Sequence, residues 1–319
     1  MDNEMIKHLP RVSSSPHFRS KLTTQREMLD VIIAMLPITL WGAYHFGPYS
    51  LVVVALTVAT AVLSEFLYEK LMHLPITIGD LSAVVTGMIL SLNMPPSIPV
   101  WVPMIGAVFA IVVVKQLYGG LGQNFINPAI AARCFLHISF AGLMNDFSAP
   151  AIGFDAMTGA TPLAAIRAGQ AYPLWDLFIG NTPGTIGEVS TLCLLIGIIY
   201  MVARNIITPR VPITYIATFS IFMFIAGGFD PYYVLVELLS GAIIFAACFM
   251  ANDYVTSPVT HAGQVVYAIF LGLMTGIIRT WSPTSEGASY AILFGNLLVP
   301  IIERYTIPKP FGKRGNKKA

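Results

Sequence analysis

Apolar stretches recur along almost the whole chain, near residues 28–46, 50–69, 80–93, 99–118, 128–145, 188–204, 212–228, 233–250, 264–281 and 287–303. This pattern constrains the fold more than any other feature. A helix needs roughly 17–25 predominantly apolar residues to cross a bilayer, and fewer where it is re-entrant or broken. Only 11% of the 319 residues are charged and 55% are hydrophobic, against about 25% charged in a soluble domain. The spacing predicts an all-α integral membrane protein with about ten transmembrane helices. The net charge of +2 is nearly balanced, which gives no basis for nucleic-acid binding. Residues 1–27 are polar and basic and predict no cleavable signal peptide.

Ten spans place both termini on one side. If that side is the cytoplasm, the inner segments hold 15 of the 18 Lys and Arg residues, and only Arg167 and Arg279 lie outside. The positive-inside rule therefore orients the chain with cytoplasmic termini. The resulting division is a cytoplasmic N-terminal segment (1–27), a first five-helix unit (28–145), an outward loop (146–187), a second five-helix unit (188–303) and a basic cytoplasmic tail (304–319).

Two stretches resemble each other: "DLSAVVTGMILSLNMPPSIP" from Asp80 and "ELLSGAIIFAACFMANDYVTSP" from Glu237. Each opens on an acid, continues as a short apolar run and breaks at Asn and Pro. Each is followed by a span ending in a base, Lys115 or Arg279. Five spans separate their starts, an odd number, so the copies run in opposite directions. This predicts two inverted five-helix repeats with broken helices. Such breaks, at Asn93–Pro96 and Asn252–Pro258, point to a ligand or ion region between the halves, because irregular backbone cannot face lipid.

Glu65, Glu237, Lys115 and Arg133 lie within or at the edge of spans. Each such charge costs roughly 2.5–3.5 kcal/mol on insertion scales, so it faces the bundle or a water-filled path. Glu237, Asp253 and Glu65 are the ion or proton candidates, although Glu65 sits near an inner edge where snorkelling to the interface is the favoured reading and Asp253 equally suits a helix cap. "GGLGQNFINPAIAARCF" lacks the lysine and hydroxyl of a phosphate loop. Asn127 as N-cap and Pro128 at the first helical position explain it, and Ser257–Pro258 suits the same role in the second half. Lys115, Asn124 and Asn127 remain candidates for contacting a cofactor. The three cysteines suggest neither a disulfide framework nor an iron–sulfur site. Histidine and cysteine spacings predict no protein-ligated metal.

The outward loop carries "DAMTGATPLAAIR", residues 155–167. Gly159 and Ala160 leave the hydroxyls of Thr158 and Thr161 uncrowded, and Asp155 stands six residues before Thr161. This suits an acceptor for a bulky phosphoryl group, although a plain turn with Thr161 capping a helix at Pro162 also accounts for it. The pattern D-x-x-[ST]-G-A-T is similar to the flavinylation site of the Rnf and Na+-translocating NADH:quinone reductase families. "DLSAVVTGMILSLNMPPSIPVW", "KQLYGGLGQNFINPAIAARCF", "GTIGEVSTLCLLIGIIY" and "MANDYVTSPVTHAGQVVYA" extend that resemblance, which is closest to the Rnf D-subunit family and covers most of residues 80–280. The resemblance implies a component of an electron-transfer complex between ferredoxin and NAD+, coupled to Na+ or H+ transport in a prokaryotic cell membrane. It implies FMN bound through a phosphoester to Thr161, donated by a separate flavin transferase, with riboflavin among the helices as a further ligand. Arg167 is then a candidate contact for the FMN phosphate. It implies other membrane and peripheral subunits as partners. The alternative from the residues alone is a channel or small-solute transporter, for which an exposed flavin acceptor would have no use.

Overall fold

The structure is a computed structural model that describes residues 23–147, 162–167, 172–240, 242–282 and 287–308. Among these residues every regular element is helical. The first half comprises α1 (Thr24–Phe46), α2 (Pro48–Leu71), α3 (Ser82–Leu92), α4 (Trp101–Tyr118) and α5 (Pro128–Ser139), followed by the short α6 (Ala141–Met144). Two short helices, α7 (Pro162–Arg167) and α8 (Leu174–Ile179), lie within the long loop. The second half comprises α9 (Thr191–Ala203), α10 (Arg210–Ala226), α11 (Pro231–Leu239), α12 (Ile243–Met250), α13 (His261–Trp281) and α14 (Ala288–Thr306).

Local chemistry accounts for many of the ends. Asn127 accepts hydrogen bonds from the N–H groups of Ala129 (3.0 Å) and Ile130 (3.3 Å), with Pro128 beginning α5. This is the cap read from the sequence. Asp230 and Pro231 start α11 in the same way. In the second half the cap of α13 is Thr260, whose hydroxyl accepts from Gly263 N–H at 3.1 Å, rather than Ser257–Pro258. The hydroxyl can reach the donor three residues on, and the Ser–Pro pair ends up in the preceding turn.

Helices stand at all ten predicted positions, but their lengths differ. Among the described residues, only α1, α2, α4 and α13 are long and apolar enough to span a membrane singly. The pair α11–α12, bent by 66°, makes a fifth candidate. Helices α3, α9 and α10 are apolar but shorter. The shortening has visible causes. Pro95 and Pro96 follow the end of α3, and the segment before Thr191 packs as irregular backbone instead of extending α9. Two stretches, Phe109–Lys115 within α4 and Ala246–Met250 within α12, are wound as π-helix.

Much of the exterior is apolar as well. Leu40 (63%) and Ile199 (67%) are exposed, while the interior of α3 and α12 is almost wholly buried. An apolar outer surface of this extent needs a lipid environment, and the chain is a multi-pass membrane protein. Small residues let helices approach closely, as usual in membranes. A Cβ on Gly197 of α9 would lie 2.3 Å from the Ala34 carbonyl oxygen of α1.

Candidate functional site

An inner cavity lies where α3, α5 and α12 meet the ends of α1, α4 and α9. It encloses about 760 Å³, part of it open to the surroundings. Apolar walls come from Met28, Ile89 and Phe249, and polar groups from Ser82, Lys115, Asn124, Asn127, Asn252 and Asp253. The sequence candidates Lys115, Asn124, Asn127 and Asp253 thus come together at one cavity. Asn124 donates to the Ile126 carbonyl (3.0 Å), and Asn252 to that of Ala247 (3.0 Å), which fixes both amides at the wall. Asp253 accepts from the Thr256 hydroxyl (2.9 Å) and Val255 N–H (3.5 Å). Burial pushes its carboxyl above the usual range, and these two hydrogen bonds oppose the shift.

Behind the cavity wall is a chain of polar side chains. Lys115 Nζ donates to Glu65 Oε1 and to Ser82 Oγ, both at 2.5 Å. Gln116 also donates to Glu65 Oε1 at 2.8 Å. Glu69 accepts from the Thr77 N–H at 3.0 Å and from its hydroxyl. Asp80 accepts from both the N–H and the hydroxyl of Ser82. Glu65 is therefore not a snorkelling residue. It is fully buried (0% exposed) and ion-paired with Lys115. Its α2 position faces α3 and α4 instead of lipid, and packing of three helices decides this.

A second network centres on the middle of α5. Arg133 donates to the Asn93 amide oxygen, at the first break, and to Ser289 Oγ of α14 at 3.0 Å. It also pairs with Glu188 at 3.1 Å. The segment that carries Glu188 is plugged into the first break. Gly187 N–H donates to the Leu92 carbonyl (2.7 Å) and Ile186 N–H to that of Met94 (3.0 Å). Carbonyls freed by the end of α3 are thus satisfied. The two breaks are held by separate networks, Asn93 by Arg133 and Asn252 by the carbonyls of its own helix. Sequence reading found Arg133 as a charge inside a span but not its partners; a Glu at the mouth of another span, Glu188, was the available signal.

Glu237 of α11 pairs with Arg279 of α13 at 3.0 Å. Arg279 also donates to the Glu237 carbonyl (2.7 Å) and the Ser240 carbonyl (3.3 Å). Its guanidinium lies 5.1 Å from the Phe219 ring centroid. Glu237 thus joins two helices and stands apart from the residues lining the inner cavity. Thr161, Asp155, Thr158, Gly159 and Ala160 lie outside the described residues, as does the Arg167 side chain. The helix read as starting at Pro162 is present as α7. Beyond it, the hydroxyl of Tyr232 at the start of α11 accepts from Tyr172 N–H (3.0 Å) and donates to the Tyr172 carbonyl (2.6 Å), tying the loop to the bundle. Among the described residues no three His, Cys, Asp or Glu side chains are grouped as for a metal ion.

Comparison with known proteins adds an independent observation. A family model described as the NQR2, RnfD, RnfE family matches residues 11–312. The chain is 46% identical over 312 residues to the D-subunit of the Na(+)-translocating ferredoxin:NAD(+) oxidoreductase complex of Acetobacterium woodii, covering 96% of each chain. It is 35% identical to the D-subunit of the proton-translocating ferredoxin:NAD(+) oxidoreductase complex of Clostridium ljungdahlii, covering 98% of each. It is 34% identical to the D-subunit of the ion-translocating oxidoreductase complex of Stutzerimonas stutzeri, covering 93% of this chain and 94% of that one.

Proposed function

We propose, from the premise that this chain belongs to the NQR2, RnfD, RnfE family, that it is the D-type membrane subunit of an ion-translocating ferredoxin:NAD+ oxidoreductase complex. The observation that carries this is the 46% identity over 96% of both chains to a protein so named. In that role it works with other membrane and peripheral subunits and is not catalytic alone. The coupling cation is Na+ or H+, the two named among its relatives.

The chain crosses the membrane ten times as two inverted five-helix repeats, with both termini in the prokaryotic cytoplasm and the 146–187 loop outside. The pairing of Lys115 with Glu65 and of Arg279 with Glu237 supports this reading. Each base lies in the last turn of the fourth helix of its half and is held by a buried carboxylate, from α2 in the first half and from α11 in the second. Each half also contains a π-helical stretch.

Thr161 carries FMN through a phosphoester bond, placed there by a separate flavin transferase. The support is the D-x-x-[ST]-G-A-T pattern together with membership of the family. A second, noncovalent flavin such as riboflavin is assigned to the inner cavity by the chemistry of its lining. Met28, Ile89 and Phe249 suit the faces of a planar ring, while the amides of Asn124 and Asn127 offer donors and acceptors to its polar edge. Bound there, a flavin supplies electron storage and transfer, and the chain holds and orients it.

The test is mass spectrometry of the peptide spanning residues 155–167 from the chain co-expressed with its flavin transferase. FMN is expected on Thr161 and absent after Thr161→Ala, with in-gel flavin fluorescence lost in parallel. An unmodified Thr161, or FMN on Thr158, would overturn the assignment.

A further inference from the structure

Resting on the reading of the inner cavity as a noncovalent flavin site, we infer that Lys115 supplies the positive charge that balances electrons arriving on the guest of this cavity, with Glu65 as the positioning residue that moderates it. Lys115 is 2% exposed and lies within a membrane-crossing helix. Bilayer insertion penalises such a charge, so charged groups there usually have a use. An apolar side chain of the same length would pack α4 against α2 and α3 without that penalty.

Three observations point to the cavity as the use. Lys115 and its hydrogen-bond partner Ser82 both belong to the cavity wall, beside Asn124 and Asn127. Lys115 is the last residue of a π-helical stretch, Phe109–Lys115. Such stretches frequently accompany functional sites, and this one changes the register at which Lys115 leaves the helix. The ammonium is also held by side chains of two different helices, Glu65 on α2 and Ser82 on α3. Arg279, the matching base of the other half, instead places its guanidinium on two main-chain carbonyls as well as on Glu237. That is the behaviour of a structural tie. A lysine ammonium is a compact point charge, suited to acting through space on a nearby ring.

The carboxylate gives the assignment its sign. Glu65 lies 2.5 Å from Nζ and offsets part of the positive potential that Lys115 projects into the cavity. Removing Lys115 should make the guest harder to reduce. Neutralising Glu65 should make it easier. A merely structural pair has no reason to move the two in opposite directions.

The experiment is an anaerobic dithionite titration of the purified complex in a Thr161→Ala background, which removes a covalent flavin on this chain from the signal. Each dithionite ends as two sulfites and releases two electrons. The oxidised ring takes up both with one proton, and so gains one negative charge. Against the parent, Lys115→Met should lower the reduced-to-oxidised ratio at a fixed potential about tenfold, which is about 30 mV for a two-electron couple. Glu65→Gln should raise that ratio, and Lys115→Arg should stay near the parent. Unshifted ratios with flavin retained, or shifts of the same sign in Lys115→Met and Glu65→Gln, would overturn the assignment alone. Should Lys115→Met lose its flavin, the Glu65→Gln result decides: a rise supports the assignment and no rise ends it. A parent complex whose inner cavity yields no acid-extractable flavin overturns the cofactor reading and this assignment together.

Discussion

Arg133 shows what a single residue can contribute here. It is 2% exposed and meets Asn93, Ser289 and Glu188, from a break, a helix of the other half and a plugged segment. Removing one partner of a buried pair leaves an uncompensated charge, at a cost of about 3–5 kcal/mol, whereas replacing both with apolar groups costs far less. Arg133→Met should therefore lower thermal stability of the purified chain in detergent sharply, and Arg133→Met combined with Glu188→Met should recover much of it. A double variant no more stable than the single one would mean that the ion pair is not what Arg133 provides. The residue itself was legible as a charge inside a span. Its partners were not, because Ser289 is 156 positions away. Glu65 teaches the same lesson: its place near an inner edge suggested snorkelling, and only the approach of α4 made it a buried ion-pair partner.

Among the elements, the first break depends most on another part of the chain. The 186–187 backbone donates to carbonyls at the end of α3, and this works because Gly187 has no side chain. A Cβ there would lie 2.5 Å from Leu92 Cβ and 3.0 Å from the Leu92 carbonyl oxygen. Gly187→Val should force the two segments apart and cost about 1–3 kcal/mol, the usual penalty of overpacking. Hydrogen exchange at residues 186 and 187 should rise in step with the lost stability. Gly79→Ala, whose added Cβ meets nothing within 4 Å, serves as the neutral comparison. Unchanged exchange in Gly187→Val would mean that the plug is not held by this contact. The break itself was readable from Asn93 and the two prolines after it. The segment that repairs it lies beyond the long loop, and no local pattern announces it.

For the whole molecule, orientation has the simplest test. The distribution of 15 of 18 basic residues predicts inner termini and an outer 146–187 loop. In intact cells, an impermeant thiol reagent should label a cysteine placed at Gln170 and spare one placed at Lys313. The native Cys134 and Cys248 are buried and Cys193 is half-buried, which keeps the background low. Protection at Gln170 with labelling at Lys313 would reverse the topology and move the Thr161 loop to the cytoplasmic side.

By itself, the sequence determined that the chain is helical and membrane-embedded, that a helix begins at Asn127 and Pro128, and which family motifs it carries. These properties are sums over neighbouring residues: hydropathy over one span, a cap over one turn, a motif over a few positions. Tertiary structure alone decided which carboxylate meets which base, and that Lys115, Asn124, Asn127 and Asp253 share one cavity while Glu237 stands apart with Arg279. Glu65 and Lys115 are 50 positions apart. Contacts at such separations follow from how helices pack and where they break, and neither is written in the local order of residues.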